Sequence, residues 1–277
     1  MTAPRIMTRE NAAGFLDPQV EPALWTALIP AAGRGSRLGF DLPKILFPIA
    51  GATILEWLVH LLKPLSSRFV LVLSPEGAGL VEKTASQLLG DRQTIAVQEQ
   101  PLGMADAVER GLAMVETKHT LIVWGDQVAV QPASLEFLMR LHQGIAQPAA
   151  TCPTLWRDHP YIHFERAGSG QVLSGQVLRV LQAREGDALP KRGESDSGVF
   201  LFRTEALRRA LPRLLESAEC VGRATGELNF LPIFPILDRE PGQLITAPIM
   251  TEAESVGVNS PADAAYLERQ LREPGSV

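Results

Sequence analysis

The chain alternates short apolar runs with stretches of helical periodicity. Thr26–Pro30 reads as a strand ending in a glycine-rich loop, and a helix begins at about Thr53. Thr53 with Glu56 three residues later forms a capping box, in which two backbone N–H groups are satisfied reciprocally and the helix start is set. Arg68–Ser74 then predicts a strand, Gly77–Leu89 a helix, Thr94–Gln98 a strand, Gly103–Val115 a helix and Thr120–Trp124 another strand. Apolar runs without polar alternation suit strands covered on both faces. The first ~130 residues therefore predict an α/β domain with an open, doubly wound, mainly parallel sheet.

After Asp126 the rhythm changes. A helix at about Ala133–Gln143 precedes a Gly-, Ser- and Arg-rich stretch from Pro160 to Gly193. Its short runs Tyr161–Phe164 and Val177–Leu181 predict hairpins and loops in place of another βαβ unit. Gly198–Phe202 predicts a strand, Thr204–Ala218 a helix, Glu227–Leu237 further helix, and Gln243–Ile249 and Glu254–Val258 late strands. Ser260–Pro261 caps a last helix, with proline in its first turn. Without repeats or low-complexity segments, the simplest organisation is an arm at 1–24 followed by one domain at 25–277, whose second half, 131–277, adds a substrate lobe.

Composition narrows the class. The 277 residues are 45% apolar, and a chain of this size removes roughly three quarters of its unfolded surface from water, so a full core is expected. Lys and Arg number 26 against 31 Asp and Glu, a net charge of −5, which speaks against a dedicated nucleic-acid partner. Cys152 and Cys220 are too few for a disulfide framework and read as buried hydrophobes in a reducing compartment, hence a cytoplasmic location. The N-terminal segment carries Arg5, Arg9, Glu10, Asp17 and Glu21 without an apolar block, unlike a signal peptide. Glu56 and His60 interrupt the best apolar run, Ile54–Leu62, so no membrane partner is expected.

The chemistry concentrates in Ala27–Gly51, ALIPAAGRGSRLGFDLPKILFPIAG. Gly33 and Gly35 let backbone N–H groups approach phosphate oxygens, and Arg34, Arg37 and Lys44 bring positive charge to the same loop. A dinucleotide fingerprint needs a third glycine where Leu38 stands. A Walker loop needs Gly-Lys-Ser/Thr, whereas Lys44 is flanked by Pro43 and Ile45. Asp126, after an apolar strand, suits either an active carboxylate or a helix cap, and Asn259 before Ser-Pro is also an ordinary turn residue.

The pattern AAG-x-G-[ST]-R-[LM] at Ala31–Leu38, followed by LPK-x-L at Leu42–Leu46, resembles the signature of the sugar-phosphate nucleotidyltransferases. Within that family it is most similar to the pyrophosphorylase domain of the bacterial N-acetylglucosamine-1-phosphate uridylyltransferases. Three further blocks agree in chain order: Gln98–Gly103 (QEQPLG) looks like the base-recognition loop, Val123–Asp126 (VWGD) like the strand-end Gly-Asp, and Gly257–Asn259 (GVN) like the Gly-Val-Asn. The resemblance implies a Rossmann-like, mixed but mainly parallel sheet of the nucleotide-diphospho-sugar transferase fold, with an inserted sugar-binding lobe. Residues 25–130 would form the nucleotide half and 131–277 the sugar-phosphate half. It further implies that a sugar 1-phosphate attacks the α-phosphorus of an NTP and releases pyrophosphate. Arg37 and Lys44 would be the catalytic cations, Ala31, Ala32, Gly33, Arg34, Gly35, Ser36, Gln98 and Gly103 would surround the nucleotide, and Asp126 and Asn259 would hold Mg²⁺.

Three departures touch the acceptor. Pro160-Tyr161-Ile162 stands where the family has Gly-Tyr-Gly, Asp196-Ser197-Gly198 where it has Asn-Thr-Gly, and Met104 where it has Thr. The acceptor is therefore open among hexose, amino-sugar and cyclitol phosphates, with Glu185 and Asp196 as candidate partners of its hydroxyls. The Gln98 amide complements uracil or thymine, and a flipped amide serves cytosine, so UTP or dTTP is favoured and guanine stays open. The alternatives are a cytidylyl- or guanylyltransferase acting on a polyol or cyclitol phosphate, and a catalytically silent nucleotide-sugar-binding regulator. No hexapeptide repeat follows Leu271, so the left-handed β-helix of these enzymes, its acetyltransferase activity and its trimer are not expected. Homo-oligomerisation is otherwise left open.

Overall fold

A computed structural model describes residues 5–145, 148–168, 175–239 and 243–272. Strand β1 (Trp25–Pro30) runs into the glycine loop, which ends in the small hairpin β2 (Pro48–Ile49) and β3 (Ala52–Thr53). Then follow α1 (Ile54–Leu62), β4 (Arg68–Leu73), α2 (Pro75–Leu89), β5 (Gln93–Val97), α3 (Met104–Leu112), β6 (His119–Val123) and α4 (Pro132–Gly144). The second half comprises β7 (Ala150–Asp158), β8 (Ile162–Arg166), β9 (Val177–Gln182), β10 (Arg192–Asp196), β11 (Val199–Arg203), α5 (Thr204–Leu215), α6 (Ile233–Leu237), β12 (Leu244–Ala247) and α7 (Pro261–Arg272).

Strands β5, β4, β1 and β6 pair in parallel in that order. Strand β11 runs antiparallel between β6 and β7, and β12 lies parallel to β7. Alternate side chains of a strand point to opposite faces, and the two cores divide accordingly. Ala27 and Ile29, Phe69 and Leu71, and Leu121 and Val123 pack in one core with residues of α1, α2, α4 and α7. Leu28, Val70, Val72 and Ile122 pack in the other with residues of α3, α5 and α6. Both faces are covered, which is why these strands carry uninterrupted apolar runs. The predicted capping box is present: Glu56 N–H donates to Thr53 Oγ1 (3.2 Å), and Thr53 N–H donates to Glu56 Oε2 (2.6 Å).

The N-terminal arm is packed onto this frame. Met7 and Ala12 are fully buried, Met7 N–H donates to Thr246 O (2.9 Å), and Arg5 pairs with Asp238 (2.9 Å). The arm thereby bridges to β12 and occupies polar backbone groups that a sheet edge would otherwise offer to another chain.

Three segments differ from expectation. Strand β7 carries no signal in the pattern because Pro153 interrupts it. In the structure Pro153 stands where β7's pairing passes from β12 to β10, so the missing N–H interrupts no continuous ladder. Only Ile233–Leu237 of the expected helix at Glu227–Leu237 is helical. Residues 228 and 229 instead pair with other chain segments, Leu228 N–H donating to Leu102 O (2.7 Å) and Asn229 N–H to Cys220 O (2.7 Å). Glu254–Val258 is a turn and not a strand: the buried Glu254 carboxylate accepts from Thr251 N–H (3.0 Å) and Gln131 N–H (3.1 Å) and curls the chain back toward β6. Among the described residues no helix is long and apolar enough to cross a membrane.

At the N-terminal edge of the sheet, Trp25 stacks on His119 (centroids 4.7 Å apart), and His142 meets His119 edge-on (5.1 Å). Burial is the largest influence on both imidazoles, lowering His142 well below its ordinary value and His119 from 6.5 to about 4. The unfolded chain takes up the His119 proton near pH 6.5 and the folded chain only near 4, so this stability is complete above pH 6.5 and is lost as pH falls toward 4. At pH 5.0 the loss from His119 is about 2 kcal/mol. Urea unfolding at pH 7.5 and 5.0 checks this, with a smaller drop expected for His119→Phe; an equal drop in the variant refutes the assignment.

Candidate active site

The site lies along the carboxyl ends of the parallel strands, where a doubly wound sheet leaves a crevice. Three backbone hydrogen bonds fasten its loops to neighbouring strand ends: Ala31 N–H to Val72 O (2.8 Å), Gln98 N–H to Leu73 O (2.8 Å) and Gly125 N–H to Pro30 O (3.2 Å). The result is a cavity of about 300 Å³ lined by Ala31, Ala32, Gly33, Lys44, Gln98, Gly103 and Asp126 from the sequence-derived set. An adjoining groove of about 260 Å³ is lined by Gly33 to Leu38, Lys44 and Asn259.

Lys44 stands between the two spaces. Its Nζ donates to Asp126 Oδ2 and to Asn259 Oδ1, each at 2.7 Å. Asp126 is held at the end of β6, and Val258 N–H donates to its backbone oxygen (3.0 Å). The neighbouring Gly257 lies so close that a Cβ there would stand 2.9 Å from the Asp126 carboxyl carbon. Asn259 is placed by the start of α7, where the Asp263 carboxylate accepts from Asn259 N–H (3.2 Å) and Ser260 N–H (2.8 Å). Two residues 82 and 215 positions beyond Lys44 in sequence thus meet on its ammonium.

Two of the loop cations have separate fates. Arg37 is exposed on the groove with no ion-pair partner among the described residues. Arg34 is turned away from the cavity toward Glu76 of α2 (3.4 Å), in an exposed pair of little energetic consequence. Among the described residues the N–H groups of Ala32, Gly33 and Ser36 have no protein acceptor, as suits a loop that receives phosphate oxygens.

At the Gln98 end of the cavity, Gly103 adopts φ +122°, and a Cβ at that position would lie 2.6 Å from Leu228 O, so no other residue fits. The wall beyond Gly103 is made by residues that the sequence reading did not single out: Pro101, Trp124, Arg184, Glu227 and Asn229. Arg184 pairs with Glu227 (2.9 Å) on this wall. Glu227 and Asn229 were hidden inside a helical pattern, and nothing in the spacing distinguishes Arg184 from its neighbours.

The two acceptor-side carboxylates separate. Glu185 is buried and faces inward, accepting from Ala224 N–H (3.0 Å), Thr225 N–H (3.3 Å), Thr225 Oγ1 (2.7 Å) and Asn229 Nδ2 (3.3 Å). Burial opposes its charge, yet these donors hold its carboxyl below the usual value. A carboxylate so committed ties the loop at 222–229 and has no lone pair to spare for a sugar hydroxyl, so the Glu185 expectation is corrected. Asp196 ends β10, where it accepts from Gly198 N–H (3.0 Å). Burial pushes its carboxyl up, and the charge of Asp126 adds to that shift. Asp196 therefore belongs to the electrostatic surroundings of Asp126.

A glycine loop, a lysine bridging a carboxylate and an amide oxygen, and a cavity of about 300 Å³ at a sheet's carboxyl edge define the site of this α/β domain. The chain belongs to the MobA-like NTP transferase domain family, whose model it matches over residues 27–221. It is 28% identical over 256 residues to the bifunctional protein GlmU of Desulfitobacterium hafniense (90% of this chain, 52% of the relative) and 30% identical over 262 residues to that of Mycobacterium tuberculosis (90% and 50%). The chain thus spans about half the length of the curated relatives it matches. Two solved structures share the fold: the inositol-1-phosphate CTP transferase from T. maritima (TM-score 0.61, 17% identity, 92% of this chain and 99% of that one) and a nucleotidyl transferase from Methanothermobacter thermautotroptrophicus (0.58, 21%, 90% and 98%). The family resemblance and the mixed, mainly parallel sheet read from the sequence are both borne out.

Glu185→Ala is expected to lower stability by about 2–3 kcal/mol, because buried donors lose their acceptor. The measurement is the urea midpoint; an unchanged midpoint, with KM raised for the acceptor only, would return Glu185 to the substrate.

Proposed function

We propose that the protein transfers a nucleotidyl group from UTP or dTTP to a sugar 1-phosphate, releasing pyrophosphate and forming a nucleotide sugar. The observation that carries this reading is the convergence on Lys44, whose ammonium is held at 2.7 Å by Asp126 and by Asn259 beside the glycine loop. One carboxylate and one amide oxygen that already share a cation are hard donors of the kind Mg²⁺ takes. Asp126 and Asn259 would hold that ion, which when bound offsets negative charge on the reacting phosphates.

The chain's own residues supply position and charge. The N–H groups of Ala32, Gly33 and Ser36, with Arg37, receive the triphosphate, and Lys44 serves the phosphates flanking the reacting phosphorus. An oxygen of the acceptor phosphate attacks the α-phosphorus in line as the bond to pyrophosphate breaks. Holding two anions in that geometry and neutralising the charge that grows on the leaving group is the main task. Residues 25–130 form the nucleotide half, with Gln98 and Gly103 at the base. Residues 131–277 form the acceptor half, with Asp196 near the reacting centre and Arg184 adding a cation to the far wall. The two buried free cysteines, Cys152 and Cys220, support a cytoplasmic setting.

A second reading, cytidylyl transfer to a cyclitol phosphate, is favoured by Asp196, a carboxylate where the uridylyltransferases carry an amide, and by the likeness to the T. maritima inositol-1-phosphate CTP transferase. Pyrophosphate release with Mg²⁺, each NTP in turn and a panel of hexose, amino-sugar and cyclitol 1-phosphates separates the two. Release with UTP or dTTP and a sugar 1-phosphate is the expected outcome, and no release with any pair removes both readings. Arg37→Ala and Asp126→Ala are each expected to lower kcat by about 10²–10³, the scale of losing one preorganised electrostatic group. Near-normal turnover in both variants refutes their roles.

A further inference from the structure

The base side of the cavity contains a second, buried arrangement that is independent of the phosphate machinery. Gln98 is only 6% exposed, and its amide nitrogen donates to Gly103 O (3.0 Å) and to Asp106 Oδ2 (2.8 Å). An amide nitrogen has two hydrogens, so both are spent inside the protein. Asp106 lies in the first turn of α3, is 4% exposed, and accepts from Arg110 Nε one turn further along the helix (2.9 Å).

This network decides which way the Gln98 amide faces. The Gly103 carbonyl and the Asp106 carboxylate, paired with Arg110, are acceptors only. Reversing the amide would set its oxygen against both, acceptor against acceptor and without a donor of its own, and would leave the Gly103 carbonyl with only Ala107 N–H (3.2 Å) and Asp106 Oδ2 with only Arg110 Nε (2.9 Å), an arrangement with a large desolvation cost. The oxygen, Oε1, is therefore the atom left for the cavity. Gly103 lines the same cavity, and its N–H has no partner among the described residues.

We propose that Asp106 is a positioning residue for base selection: by taking one amide hydrogen while the Gly103 carbonyl takes the other, it leaves Gln98 a pure acceptor toward the cavity, and the pocket selects a pyrimidine that donates from ring N3. Uracil and thymine carry N3–H between two carbonyl oxygens, one of which can accept from Gly103 N–H. Cytosine in the same register turns an unprotonated N3 toward Gln98 Oε1, acceptor against acceptor. The inference rests on the preceding reading that Gln98 meets the base, and it removes the ambiguity of a flipped amide.

The test is nucleotide affinity, measured by calorimetry on the full chain with UTP and CTP in the presence of Mg²⁺. The wild-type protein is expected to bind UTP more tightly. In Asp106→Asn the new amide can present either an oxygen or an NH₂, so a reversed Gln98 finds a partner, and the ratio of the CTP to the UTP dissociation constant is expected to fall about tenfold. A purely structural Asp106 would weaken both nucleotides alike. A ratio unchanged within about twofold in the folded variant, or a wild-type preference for CTP, overturns the proposal. If the variant does not fold, the wild-type protein decides: the Gln98 side-chain N–H₂ signals in NMR are expected to exchange slowly with solvent with or without UTP, and fast exchange of both hydrogens overturns the lock. Because binding is read directly, pyrophosphate release with an unchanged ratio defeats this inference alone. An altered ratio without any release defeats the transferase reading alone.

Discussion

The parallel strands β1, β4, β5 and β6 can be stable only if both faces of the sheet are covered, and the rest of the molecule follows from that requirement. Each strand must be followed by a helix that crosses to a face and returns, so every loop leaving a strand emerges at the same carboxyl edge. The glycine loop, the Gln98 loop and the Gly125–Asp126 corner become neighbours there, tied by single backbone hydrogen bonds to adjacent strand ends. The antiparallel strand β11 then lets the chain reverse and bring its second half, including Gly257–Asn259, back over that edge.

Electrostatics at this edge run against the chain's overall balance. A net charge of −5 describes the whole surface, whereas the crevice gathers Arg37 and Lys44 beside loop N–H groups. Local charge decides anion binding, since exposed charges further away are screened within about 10 Å at moderate salt. The Asp126 carboxylate pairs with Lys44 at 2.7 Å, so Arg37 and the loop N–H groups carry the unpaired positive character of the groove. Asp126 and Asn259 hold Lys44 in place, each at 2.7 Å.

The first half of the chain was legible in the sequence because its determinants are local. The capping box at Thr53, the apolar runs of β1, β4 and β6, and the spacing from Gly33 to Lys44 each involve residues close in the chain. The second half was less legible. Pro153 concealed β7, and a helical pattern over Glu227–Leu237 concealed the segment that meets Gly103. Glu185 and Arg184 are adjacent, yet one is buried under the 222–229 loop and the other lines the cavity; periodicity cannot say which of two neighbours a short turn directs inward.

Sequence alone determined the order of elements in the first half of the chain, the class of fold and the glycine loop with its basic residues, since these depend on side-chain alternation, glycine freedom and charge within a short window. Only the tertiary structure decided that Lys44, Asp126 and Asn259 share one point, that Glu185 is structural, and that Asp106 sets the face Gln98 turns to the cavity. Each of those outcomes depends on which donors and acceptors are left unpaired once distant segments pack together. Hydrogen-bond saturation is a property of the folded neighbourhood and is not carried by any stretch of the chain on its own.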